Sequence, residues 1–247
     1  MLCEAAKRGA RLEFLLIGES AYDSVSEKAQ RLYDLDIEGL DCRITVISDS
    51  LFDKISEENA PEGVIAVAKY IDDRHKDLAA SEICVGQRER VLLLESVRDP
   101  QNVGAILRTA AAFSVDRVIM GKDCADIYSS KTLRASMGAA FALNIDRVES
   151  VSDAISALRA SGRRVYAAAL DERAERLGEA RFSPLDCVVI GNEGHGLSEE
   201  TVKACDSSVY IPMSDGVESL NAAVAASVLM WEFFGSRVGG KNEEAEV

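Results

Sequence analysis

The amino-acid sequence predicts an α/β protein: a mostly parallel sheet with helices on both faces, preceded by a small α/β unit. Uninterrupted apolar runs recur at 91–94, 117–120, 165–169, 187–190 and 208–211, the pattern of strands covered on both sides. Helical patterns separate them at about 102–113, 151–160 and 198–204, and strand–helix alternation of this kind builds a parallel sheet. Ligands bind such sheets beyond the C-terminal ends of the strands. The informative loops are therefore those that follow the strand tips.

Taken in order, residues 12–17, 44–47 and 64–68 read as short strands separated by helical stretches, a small α/β domain over 1–70. Residues 71–89 are charged at first and weakly periodic, and read as a linker. The larger domain spans 90–235. Its last helix, about 218–234, is apolar or small on almost every side, so it is expected to be buried all round, inside the fold and against a second subunit. Residues 236–247 form a polar tail expected to be disordered.

Composition narrows the classes of function. No run of about 18 apolar residues exists, as a membrane span requires, and the N-terminus lacks a secretory pattern, so a soluble, cytoplasmic protein is expected. Six cysteines occur without a Cys-x-x-Cys pair, accompanied by two histidines. That argues against zinc, a disulfide framework and a Ser-His-Asp hydrolase, and no metal site is expected. The net charge of −14 opposes binding to polyphosphates, which rests on Lys and Arg neutralising phosphates. Residues 1–85 carry 10 basic against 18 acidic side chains, and residues 86–247 carry 18 against 24. Any nucleic-acid contact must come from local cations, of which Arg98, Arg108, Lys131 and Arg134 cluster in sequence near the first informative loop.

Three loops carry the candidate chemistry. In Glu95–Ala110, Asp99-Pro100 sets a turn, Asn102 suits a helix cap, Gly104 allows close approach of a backbone or substrate, and Arg108 follows within two turns. The same residues also fit a capped helix with a surface arginine. In Val189–Ser198, Gly191, Gly194 and Gly196 suit backbone amides that touch a ligand; neither a Walker loop nor a dinucleotide fingerprint is present. Glu193 stands among these glycines, and His195 reads as a solvent-facing loop residue. In Ile211–Ala225, a turn through Asp215-Gly216 leads to Ser219 and Asn221 at the mouth of the apolar helix, where unpaired amides either cap themselves or hold a ligand.

Asn102-Val-Gly-Ala-Ile-Leu-Arg108-Thr, Gly191-Asn-Glu-Gly-His-Gly196 and Ile211-Pro-Met followed by Ser219-Leu-Asn221, in this order, closely resemble the three motifs of the SpoU (TrmH) family of RNA ribose 2′-O-methyltransferases. Lys131–Ala139 also resembles a family segment, and Glu62-Gly-Val-Ile-Ala-Val resembles the end of the family's accessory substrate-binding domain. The chain begins at what looks like the interior of that domain, so preceding sequence is expected. The resemblance implies a C-terminal trefoil knot, which periodicity could not have suggested, and a homodimer that buries the last helix. It implies S-adenosyl-L-methionine held by Gly191, Ile211 and Leu220, with Met213, Asn192 and Gly196 nearby. It implies catalysis by Arg108 with Asn102, Glu193, Ser219 and Asn221 around it, and contacts to RNA from Arg98, Lys131 and Arg134.

A ribose hydroxyl is a weak acid whose proton must be taken up or its developing charge stabilised. Neutralising an arginine near pH 7 costs roughly 7 kcal/mol, so Arg108 is expected to orient the nucleophile or its phosphate rather than act as base. Ribosomal RNA is the expected substrate. Transfer RNA, ribose or base, and a non-catalytic RNA-binding scaffold are the alternatives.

Overall fold

The computed structural model describes residues 2–57, 61–71, 74–172, 174–183, 185–214, 216 and 219–235. The chain divides into two compact units, Met1–Ile71 and Asp72–Val247. In the first, α1 (Leu2–Lys7) precedes β1 (Leu12–Gly18), α2 (Tyr22–Tyr33), β2 (Arg43–Ile47), α3 (Asp49–Ile55) and β3 (Val64–Ala68). The strands lie in the order β2-β1-β3, with β1 parallel to β2 and antiparallel to β3. Successive side chains of a strand point to opposite faces. Leu15 and Ile17 are accordingly buried with Val25, Ala29 and Ile37, while Phe14 on the other face stays 40% exposed.

The second unit runs β4 (His75–Asp77), β5 (Val91–Leu94), α4 (Pro100–Ala112), β6 (Arg117–Gly121), α5 (Ser130–Ser136), β7 (Asn144–Val148), α6 (Val151–Ala160), β8 (Val165–Ala168), β9 (Ala174–Arg176), β10 (Cys187–Ile190), α7 (Glu199–Ala204), β11 (Ser207–Tyr210) and α8 (Ala222–Phe234). These strands form one sheet, β4-β7-β6-β5-β10-β8-β11-β9, with every pairing among the described residues parallel. Alternation along β5 feeds two cores. Leu92 and Leu94 join side chains of α4 and α8 on one face, and Val91 and Leu93 join those of α6 on the other. Truncating any of these fully buried leucines to Ala would cost about 2–5 kcal/mol. Among the described residues no helix is long and apolar enough to cross a membrane.

Two expectations need correcting. The segment read as a linker, 71–89, supplies β4, which pairs in parallel with β7; three polar residues at a sheet edge leave no apolar period to read. Its end is also fixed, because Arg163 donates to the carbonyls of Gly86 and Glu89 at 2.7 and 2.8 Å. The last helix starts at Ala222 rather than near 218. Within one chain its residues Val224, Val228 and Trp231, spaced four and three residues apart, are exposed, the side that the expected second subunit would cover. Asp215 of the expected turn and the tail 236–247 lie outside the described residues.

Candidate active site

The C-terminal tips of β5, β10 and β11 lie at one end of the sheet, because all its strands run the same way and β5 adjoins β10 while β8 alone separates β10 from β11. The loop after β5 leads into α4. Asp99, not Asn102, caps that helix: its carboxylate accepts from the Gln101 amide at 2.9 Å, and Pro100 opens the first turn. Asn102 therefore lies inside the helix, 7% exposed, with its side chain free for other partners.

Those partners join the three loops. Asn102 Nδ2 donates to Glu193 Oε1 at 2.6 Å, and Asn102 Oδ1 accepts from Asn221 Nδ2 at 2.9 Å. Asn221 Oδ1 in turn accepts from the amides of Ala223 and Val224 at 2.9 and 3.3 Å, capping α8. A carboxylate only accepts, so Glu193 fixes which end of the Asn102 amide faces it and, through that, the orientation of Asn221. Ser219 does not cap the helix; it is exposed, two residues before Asn221, with half-buried Leu220 between them.

The glycine loop is held by its own geometry. Gly191 is buried, and a Cβ there would lie 2.5 Å from the Gly196 carbonyl carbon and 2.7 Å from the Leu197 nitrogen, so only glycine lets the loop close. Asn192 and Gly196 exchange backbone hydrogen bonds at 3.0 Å each way. The Asn192 side chain accepts from the Gly194 and His195 amides at 2.9 and 3.1 Å and donates to the Ser96 carbonyl at 2.8 Å. This pins the loop to the tip of β5 and leaves Glu193 half-buried, while the His195 side chain is exposed.

In the third loop Ile211 is half-buried and Met213 is 43% exposed. The backbone groups of Gly191, Ile211, Met213 and Leu220 form no hydrogen bond among the described residues. Buried backbone groups are paired as a rule, so the unpaired backbone of buried Gly191 at the tip of β10, with that of half-buried Ile211 at the tip of β11, offers donors and acceptors a polar ligand can engage. That fits a small molecule recognised by main chain rather than by charge.

Arg108 does not enter the network. It lies six residues beyond Asn102 on α4, which turns it about 120° away and carries it roughly 9 Å along the axis. It is exposed and has no ion-pair partner among the described residues. Gly104 serves the scaffold: its missing Cβ would meet the Thr132 carbonyl oxygen at 2.5 Å and the Ser136 nitrogen at 2.9 Å, so it allows the backbones of α4 and α5 to touch. Of the remaining cations, exposed Arg98 approaches Asp123 at 3.9 Å. Lys131 is exposed in the first turn of α5, and Arg134 is half-buried in its last.

Two features escaped the sequence. Glu95 accepts from the Ser198 amide at 2.8 Å, from its hydroxyl at 2.9 Å and from Thr201 Oγ1 at 2.5 Å, tying the tip of β5 to the start of α7; a carboxylate directly after an apolar strand was the available signal. The loop after β8 lies between the tips of β10 and β11 and carries Leu170, 79% exposed. Its place at the site depends on strand order, which a single sequence does not display.

An all-parallel sheet whose tips present a closed glycine loop, unpaired backbone groups and a part-buried amide–carboxylate network defines an α/β domain that binds a small ligand at its C-terminal edge. Residues 89–231 match the SpoU rRNA Methylase family, and the chain belongs to that family. It is 31% identical over 197 residues to the 23S rRNA (guanosine(2553)-2′-O)-methyltransferase RlmP of Bacillus subtilis, covering 80% of this chain and 74% of that one. It is 32% identical over 203 residues to the 23S rRNA (uridine(2479)-2′-O)-methyltransferase of Streptomyces viridochromogenes, covering 81% and 69%. Among solved structures it is similar to the SpoU methyltransferase AviRb from Streptomyces viridochromogenes in complex with AdoMet, with a TM-score of 0.71, 27% identity, and coverage of 97% of this chain and 88% of that one.

Proposed function

We propose that the protein transfers a methyl group from S-adenosyl-L-methionine to a ribose 2′-hydroxyl of ribosomal RNA. The observation that carries this reading is the hydrogen-bonded run Glu193–Asn102–Asn221, which joins all three motif loops at one edge of the sheet. The two curated relatives named above both carry 23S rRNA 2′-O-methyltransferase names.

The backbone at Gly191, Ile211 and Leu220 would hold the donor, with Met213, Asn192 and Gly196 alongside. Bound there, S-adenosyl-L-methionine supplies a methyl group on a positively charged sulfur, an electrophile for an oxygen nucleophile. Holding the sugar oxygen in line is work for binding groups rather than for covalent chemistry. Glu193 and Asn102 set the shape of the acceptor side, with Ser219 and Asn221 at its edge. Arg108, exposed and outside the Glu193–Asn102–Asn221 network within one chain, has a guanidinium available to orient the nucleophile or its phosphate and stabilise developing negative charge, a role that keeps it protonated.

Arg98, Lys131 and Arg134 extend the positive surface toward the RNA, and the first unit binds substrate. The exposed residues Val224, Val228 and Trp231 of α8 face a second copy of the chain, making a homodimer. The segment from β11 through α8 completes the trefoil knot of the family, and the enzyme works in the cytoplasm. The test is incubation with labelled donor and total RNA, followed by mapping of the label. Label at a 2′-oxygen of ribosomal RNA is expected; label confined to transfer RNA would change the substrate. Loss of transfer in both Arg108→Ala and Arg108→Lys is expected, and near-normal transfer in both would overturn the role given to Arg108.

A further inference from the structure

We propose that the first unit grips an unpaired stretch of the RNA in a basic cleft at one end of its sheet, with a base stacked on Phe14. This rests on the reading that the substrate is RNA, and it specifies which surface takes the strand and in what form. The cleft encloses about 810 Å³ and is bordered by Arg11, Phe14, Arg43 and Lys69.

Strand register sets the platform. Phe14 pairs with Arg43 of β2 on one side and Val67 of β3 on the other, so the three side chains stand in a row on one face. All three are exposed, on the face opposite the buried Leu15 and Ile17. An aromatic ring left open on a sheet face beside a guanidinium is a surface on which bases stack.

Charge identifies the occupant. Residues 1–71 carry 8 Lys and Arg against 14 Asp and Glu. The cleft nevertheless gathers three of those cations, Arg11, Arg43 and Lys69, with only Glu13 and Asp41 among its acids. Lys69 pairs with Glu13 at 3.6 Å, whereas the side chains of Arg11 and Arg43 have no partner among the described residues. Two unpaired guanidiniums in an otherwise acidic unit are complementary to phosphate. Stacking needs a free base face, which a duplex hides, so the cleft takes a single strand.

The test measures binding of the full chain to a short labelled oligouridine and to a duplex RNA of equal length, across a salt series. Methyl incorporation into total ribosomal RNA is measured in parallel. Phe14→Ala is expected to weaken oligouridine binding about fivefold or more, with Phe14→Tyr restoring it. Arg11→Ala with Arg43→Ala is expected to flatten the salt slope by about 1.4, from roughly 0.7 per phosphate contact. These variants should keep the wild-type melting temperature and donor affinity; should Phe14→Ala fail to fold, the arginine pair and Phe14→Tyr still decide. Wild-type-like binding by the variants, with ribosomal RNA still methylated by the parent protein, would overturn the cleft and leave the substrate intact. Tighter binding to duplex than to single strand would overturn it too, as would variants that alter self-association instead. No methyl transfer to any RNA by the parent protein would remove the reading beneath it.

Discussion

The amide of Asn102 reaches Glu193 across 91 residues of sequence and meets its carboxylate at 2.6 Å. The bond exists because Asp99 already caps α4. Asn102→Asp keeps the size of the side chain but sets two carboxylates against each other. A displacement of about 1 Å at a reacting site can cost on the order of 100-fold in rate, and a loss of that order is expected with saturating donor. Glu193→Gln leaves an uncharged hydrogen-bonding group in place and should cost less. Steady-state methyl-transfer rates for the two variants check the order, which a larger loss in Glu193→Gln would contradict.

Gly104→Ala sets two effects against each other. Helix propensity favours alanine by about 1 kcal/mol. The new Cβ, however, would lie 2.5 Å from the Thr132 carbonyl oxygen, backbone that cannot swing aside, and overpacking of this kind costs about 1–3 kcal/mol. The clash wins. A lower unfolding free energy in urea titration is expected, by up to about 2 kcal/mol after the offset; a higher one would mean that α4 and α5 part easily.

Burial pushes the Cys124 thiol up to about 12 and the Cys187 thiol to about 11, against an ordinary value of 9.0. Above pH 9 the unfolded chain releases protons that the folded chain retains, so stability falls as pH rises. The Cys124 contribution is complete below pH 9 and lost by about pH 12, of order 4 kcal/mol at 1.36 per unit. Urea midpoints should fall steadily between pH 9 and 11. At neutral pH exposed Cys84 should take up iodoacetamide while buried Cys124 and Cys187 stay unlabelled, as peptide mass analysis would show.

Trp231 is 60% exposed and packs edge-on to Phe113 at 5.8 Å between ring centroids. With Val224 and Val228 it leaves an apolar stripe on α8 open to water within one chain. Val228→Glu is expected to convert a dimer to a monomer in analytical ultracentrifugation without lowering the helix content. An unchanged sedimentation coefficient would show that this stripe is not where copies meet.

Strands buried on both faces announce themselves, and β5 and β10 lie where their apolar runs put them. The strands that do not are short or carry charge. In β7, Asp146 is fully buried because Arg117 of β6 donates to it at 2.6 Å, a partner 29 residues away in sequence that no local period reveals. At the site, Asn102, Glu193 and Asn221 stand together although each was read from a different loop. The role of Asn102 was not legible: asparagine is a frequent cap, and the competing Asp99 wins only because Pro100 fits the first turn behind it. Arg108, one motif position further along the same helix, points elsewhere within the chain, since six residues is not a whole number of turns.

Asn221 caps the same helix that carries Trp231 and ends at Phe234. A continuous rod of 13 residues, about 20 Å long, therefore has the amide network at one end and the exposed apolar stripe along its side. Tilt or slide that rod at the stripe and Asn221 at its tip moves too, straining the hydrogen bond that joins it to Asn102. Whatever seats against α8 thus holds a handle on the Glu193–Asn102–Asn221 network, and a change that loosens this seat would shift that network without touching any residue in it.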